Sequence, residues 1–252
     1  MKINIYFILL IPCILSLISC FEKNSSIQTK YSDSEMKTDT IYYDTGEIEA
    51  IRQFKNNSFN GKYTKFHKNG VVSLIANYKY GWQNGITTTY NENGIIKGSG
   101  FFMADREFGG SYQYNMNGKI IFYNTIDYSG DVFFCINYYG VTYAISPTSK
   151  LISNNIFTSI KQDTINSNKD FIYNLVVATP PNFITKYYLY YLNENKSIKS
   201  KIELHPTDNI IKIADLLQKK RGRINIKIEG RLFTIDGLNI KNDSILKSYF
   251  VD

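Results

Sequence analysis

The chain has 252 residues, 43% of them hydrophobic, and a formal charge of +7. That length and apolar content support one or two packed domains and exclude a wholly disordered chain. Three cysteines and two histidines leave no room for a disulfide-stapled scaffold, and no Cys-x-x-Cys or His-Glu-x-x-His spacing exists to hold a metal. The basic residues are scattered, and the one dense cluster, "KKRGR" at 219–223, reads first as a solvated turn and second as an anionic-lipid contact. We expect no nucleic-acid partner. Tyrosine (21) and phenylalanine (16) are abundant and proline is scarce at 5, which leans to an all-β fold.

In chain order, the first element is a targeting segment. Lys2 precedes an apolar run from Ile5 to Ile18, interrupted by Pro12. A run this short, with no stop-transfer cluster, reads as a signal peptide over residues 1–19 rather than a membrane span. A plain secretory peptide or an uncleaved anchor are the alternatives. The run ends in Leu17-Ile18-Ser19-Cys20, which resembles the lipobox of bacterial lipoproteins. The resemblance implies cleavage before Cys20, diacylglycerol on its sulfur and a further fatty acyl chain, such as palmitate, on the new amine. Each buried CH₂ stabilises such an anchor by about 0.8 kcal/mol, so two or three chains hold durably. Phe21, not aspartate, follows the cysteine, which in the same resemblance implies the outer membrane. Residues 20–40 are polar and aperiodic and read as a flexible tether, with a reach of roughly 25 Å.

Residues 41–124 repeat. Gly46, Gly70, Gly94 and Gly118 recur every 24 residues, and Gly61, Gly85 and Gly109 keep the same period. Tyr42, Phe66, Tyr90 and Tyr114 form an aromatic column four residues before the first set. Phe54, Tyr78 and Phe102 form a second column, and Ile48, Val72, Ile96 and Ile120 an aliphatic one. The pairs Asn69-Gly70, Asn93-Gly94 and Asn117-Gly118 predict two-residue type I′ hairpin turns, with Asn60-Gly61 and Asn84-Gly85 as the returning turns. Each repeat is then a β-hairpin too small to bury its own aromatic face, and stacked neighbours cover it. Ile126 and Phe133 stand where the next aromatic and glycine are due, so the array ends in a degenerate copy.

The Tyr-x-x-x-Gly-x-aliphatic unit, with a second glycine fifteen residues after the first, resembles the MORN-type repeat, and among its forms the bacterial variant of YwqK-type antitoxins. The resemblance covers about a third of the chain. It implies an elongated antiparallel meander used for binding or scaffolding, with phospholipid association known among eukaryotic members. It supplies no toxin-neutralising residue, and an exported lipoprotein fits poorly with a cytoplasmic toxin.

Beyond Tyr123 the period is lost. Short strands are predicted at 131–139, 141–146, 170–179, 185–193, 200–205, 223–230 and 232–240, and they suggest a β-sandwich of immunoglobulin-like type over 125–252. The stretch 208–222 fits either a short helix or a strand and corner loop. Cys135, in the run "VFFCINYY", reads as a small buried hydrophobe. His67, beside a repeat turn, and His205, before Pro206, read as surface or turn residues. Gly98-Ser99-Gly100 has no following helix and is not a phosphate loop. No cofactor and no catalytic residue is expected. The functional expectation is a non-enzymatic binding or scaffolding surface on the repeats, with Tyr63, Lys65 and Trp82 as its candidate contacts and a protein, glycan or lipid as partner. An enzyme with its site in the C-terminal domain and an immunity or antitoxin factor are the alternatives.

Overall fold

The computed structural model describes residues 35–153, 157–158, 164–165, 173–213, 217 and 221–251. The signal peptide, Cys20, the tether as far as residue 34, and Lys219 and Lys220 of the basic cluster lie outside the described residues. Met36–Asp252 forms one compact unit, and among the described residues its elements are strands, with Leu217 alone in helical conformation.

An 11-stranded antiparallel sheet is laid down in chain order. It comprises β1 (Lys37–Tyr42), β2 (Ile48–Lys55), β3 (Ser58–Phe66), β4 (Val72–Lys79), β5 (Trp82–Gln83) and β6 (Gly85–Tyr90). It continues through β7 (Ile96–Met103), β8 (Arg106–Tyr114), β9 (Ile120–Ile126), β10 (Val132–Tyr139) and β11 (Thr142–Ile145). The short β5 pairs only with β4. This is the hairpin meander expected from the repeat, but it is longer at both ends. It begins inside the stretch read as tether, because Lys37–Ile41 pair with Ala50–Phe54. It also runs on past the last regular copy, so the strands predicted at 131–139 and 141–146 belong to this sheet. The period fails there, but the alternation does not: Tyr123, Phe134 and Ile136 are fully buried on one face.

The turns are the reverse of the expected assignment. Gly70 donates to His67 O at 2.9 Å and His67 N to Val71 O at 2.8 Å. Gly70 has φ +79° while Asn69 is not in the left-handed region. This is a three-residue loop, a type I turn closed by a left-handed glycine. Gly46, Gly94 and Gly118 close identical loops. Asn91 and Asn115 pre-order theirs by accepting two turn amides each on Oδ1, a geometry that leaves the Asn of the Asn-Gly pair in an ordinary conformation. The two-residue type I′ turns lie instead at Asn56-Asn57, Tyr80-Gly81 and Ala104-Asp105, where both residues have positive φ. Gly61 and Gly85, expected there, sit within strands at irregular register with φ +105° and +112°. At Gly61 the space a Cβ would need is taken by Gln53, whose Oε1 accepts the Lys62 amide at 2.8 Å.

The second half adds a three-stranded sheet, β12 (Phe157–Thr158), β14 (Tyr173–Val176) and β17 (Ile210–Lys212). A five-stranded sheet contains β13 (Thr164–Ile165), β15 (Ile184–Leu192), β16 (Ile198–Leu204), β18 (Gly222–Phe233) and β19 (Asn239–Val251). Together they make a sandwich-like, all-β body. The strand predicted at 232–240 is broken by a hairpin loop between the end of β18 at Phe233 and the start of β19 at Asn239: Thr234 N bonds Leu238 O, and Gly237, φ +93°, closes it. Within 208–222 both readings find a part: Ile210–Lys212 is a strand, Leu217 is helical and its amide donates to Ile213 O at 3.2 Å, and residues 214–216 and 218–220 lie outside the described residues.

One core joins the two halves. Tyr123, Phe134 and Ile136 of the long sheet pack with Leu151, Leu175, Tyr187, Leu189, Ile226 and Ile228. At the seam, the left-handed turn Asp208-Asn209 meets Gly109 and Gly110. The buried Asn209 amide donates to Tyr123 Oη at 2.7 Å, Val177 O at 2.9 Å and Thr179 Oγ1 at 2.7 Å. Thr125 Oγ1 and Thr179 N also donate to the Tyr123 hydroxyl.

Candidate functional site

Among the described residues the C-terminal body covers one face of the long sheet, the one carrying Tyr112, Tyr123, Phe134, Ile136 and Tyr138. The alternate residues point the other way. By register this open face carries Arg52, Tyr63, Ala76, Thr87, Gly100, Ser111, Asn124 and Cys135 in neighbouring strands. Cys135 is half-buried there, not in the core, because Phe134 and Ile136 take the inward positions on β10.

A groove of about 540 Å³ crosses this face. Its floor is Gly98 and Gly100, its polar lining Thr87, Thr89, Ser111 and Gln113 with the charged Lys97 and Glu107, and its aromatic lining includes Phe102 and Tyr114. The floor is a local change in the repeat. The positions 24 residues away carry Leu74 and Phe122 around Gly98, and Ala76 and Asn124 around Gly100. Glu107 folds over Gly100, where a Cβ would meet its side chain. These groove residues were legible as interruptions of the repeat columns, a signal hidden when Gly-Ser-Gly is tested only as a phosphate loop.

The three candidate contacts do not form one patch. Tyr63 lies on the open face, edge-on to Tyr78 at 6.1 Å, and Lys65, on the same pleat, pairs with Glu49 at 3.3 Å. Burial opposes, but the Glu49 hydrogen bond, the larger effect, raises the Lys65 ammonium pKa. Trp82 is 56% exposed and opposes Lys79 at a hairpin tip, on the pleat opposite to Tyr78.

The aromatic column is paired with the aliphatic one. Tyr42 opposes Ile48, Phe66 opposes Val72, Tyr90 opposes Ile96 and Tyr114 opposes Ile120, each next to a register shift. Such aromatic–β-branched pairs contribute roughly 0.2–1 kcal/mol each. Neighbouring turns are tied together as well: Tyr43 Oη donates to Phe66 O at 2.7 Å, and His67 Nε2 lies 3.0 Å from Tyr90 O. His67 is thus a link between repeats.

His205 rims a second cleft, of about 520 Å³, between the covered face of the long sheet and the C-terminal body. Phe101, Phe108, Ile202 and Ile210 line its apolar part and Asp208 and Lys212 its edge. Cys135 faces away from it, so the structure does not bring Cys135 and His205 together.

These features define a class: an all-β protein whose hairpin array presents an open, grooved face while its other face is locked to a sandwich-like body. No protein-family model matches the chain, and no curated protein is significantly similar to it.

Proposed function

We propose that this is a cell-envelope lipoprotein, held in the membrane through acylated Cys20, whose MORN-like array binds a partner without catalysis. The observation that carries this reading is the groove floored by Gly98 and Gly100 on the sheet face that the C-terminal body leaves open. Its hydroxyl, amide and aromatic lining suits a polar chain, polypeptide or glycan, that can satisfy those groups while resting on rings. The leader-like run and the lipobox resemblance support an envelope location for such a surface, and Phe21 after the cysteine favours the outer membrane.

The test is photo-crosslinking in native membranes from a probe residue at Gln113, in the groove, with a second probe at Ile86, on the opposite pleat. Gly100→Val narrows the groove at its floor, where the added Cβ displaces the flexible Glu107 side chain. A partner captured from Gln113, absent from Ile86 and lost in Gly100→Val, is the expected result. Capture that is equal from both faces, or indifferent to Gly100→Val, overturns the reading.

A further inference from the structure

We propose that the outer face of the β16-β15-β18-β19 sheet docks on an anionic phospholipid leaflet. Alternation along these strands buries Tyr187, Leu189, Ile226 and Ile228 and turns the residues between them to the outer face, where Tyr190 is covered by its neighbours. The outward set holds the cations Lys186, Lys201, Arg223, Lys227 and Arg231 against the carboxylates Glu203 and Glu229. The central cations are held in place by their neighbours. Lys201 Nζ lies 3.6 Å from the centroid of the Tyr188 ring. Lys227 and Arg231 bond the two oxygens of Glu229 at 2.6 Å and 2.5 Å. Among the described residues neither Lys201 nor Arg223 is in an ion pair, so the face keeps a surplus of positive charge.

Apolar side chains stand directly beside these cations and point the same way. Leu246, 61% exposed, is the cross-strand partner of Lys227, and Phe250, 50% exposed, is that of Arg223. Cations that attract headgroups, next to apolar groups that enter the acyl boundary, are the two signals of interfacial binding. A soluble polyanion would satisfy the charges but leave Leu246 and Phe250 in water, and this favours the leaflet. The proposal uses neither the repeat groove nor acylation of Cys20.

The test is co-sedimentation of the chain from Phe21 onward, which retains the compact unit Met36–Asp252 and lacks the leader and the cysteine. Vesicles of phosphatidylcholine are compared with vesicles that also contain phosphatidylglycerol. Binding is expected only to the second, weakened by salt and about fivefold by each of Lys201→Gln and Arg223→Gln. Leu246→Ser with Phe250→Ser should weaken it further, while Lys62→Gln, on the repeat sheet, should not. Circular dichroism confirms that the surface variants keep the fold. Equal binding to pure phosphatidylcholine, or equal losses for Lys62→Gln and Lys201→Gln, overturns the proposal. So does binding to dextran sulfate but not to vesicles, with the Leu246 and Phe250 variants unaffected.

Discussion

Replacing Asn209 tests how the repeat sheet is locked to the C-terminal body. The side chain is 6% exposed and its residue has φ +65°. Its amide lies within hydrogen-bond distance of Tyr123 Oη, Val177 O and Thr179 Oγ1, and an NH₂ group can fully serve two of these at once. Asn209→Gly keeps the left-handed backbone at no steric cost and removes those donors. Two lost bonds and the acceptors they leave in a buried site cost about 2–3 kcal/mol. Asn209→Ala loses the same bonds and in addition holds a Cβ in the left-handed region, about 1 kcal/mol more. Against a total stability of roughly 5–15 kcal/mol, both losses are large. Urea denaturation reads them as a fall in midpoint at constant slope. The expected order is wild type, then Gly, then Ala. A loss under about 1 kcal/mol for both variants, or Ala at least as stable as Gly, would refute the assignment of this turn as the lock.

Two further outcomes follow from turns and burial. In the loop closed by Asn193 and Ser197, Lys196 holds φ +64° where the repeat loops use glycine, so Lys196→Gly should raise stability by about 1 kcal/mol; an unchanged or lower urea midpoint contradicts this. Burial pushes the Tyr112 phenol up to about 12 and raises Tyr123, Tyr138 and Tyr187 as well. Above the ordinary value of 10.0 the unfolded chain loses these protons and the folded protein keeps them, so stability is level below about pH 10 and falls as pH rises towards 12. Near-ultraviolet difference spectra should show a fraction of phenols ionising only as circular dichroism collapses, whereas ionisation of every phenol with the fold intact would contradict it.

The 24-residue period was sufficient by itself to establish an antiparallel hairpin array, because turn chemistry is local. A left-handed closing residue is needed wherever the loop recurs, and Gly46, Gly70, Gly94 and Gly118 all take that conformation. The aromatic and aliphatic columns were legible for the same reason, since they face each other across a single turn. The kind of turn was not. Asn-Gly is the usual type I′ signal, but here Asn91 and Asn115 seize the loop amides first and make a three-residue loop. The true type I′ turns at Tyr80-Gly81 and Ala104-Asp105 carry weaker local signals and are imposed by the register of the strands on either side.

Tertiary structure alone decided where the sheet ends and what covers it. The strands from Val132 to Ile145 have lost the period, and only pairing with β9 shows that they extend the array. Asn209 is separated from Tyr123 by 86 residues, and an asparagine in a polar turn looks like any solvated loop until the two halves meet. The same holds for Gly98 and Gly100: they read as weak points in a strand, and become the floor of a groove once their cross-strand neighbours Thr87, Thr89, Ser111 and Gln113 stand around them. Local chemistry sets the repeating unit, while long-range pairing determines which of its surfaces is buried and which remains open to a partner.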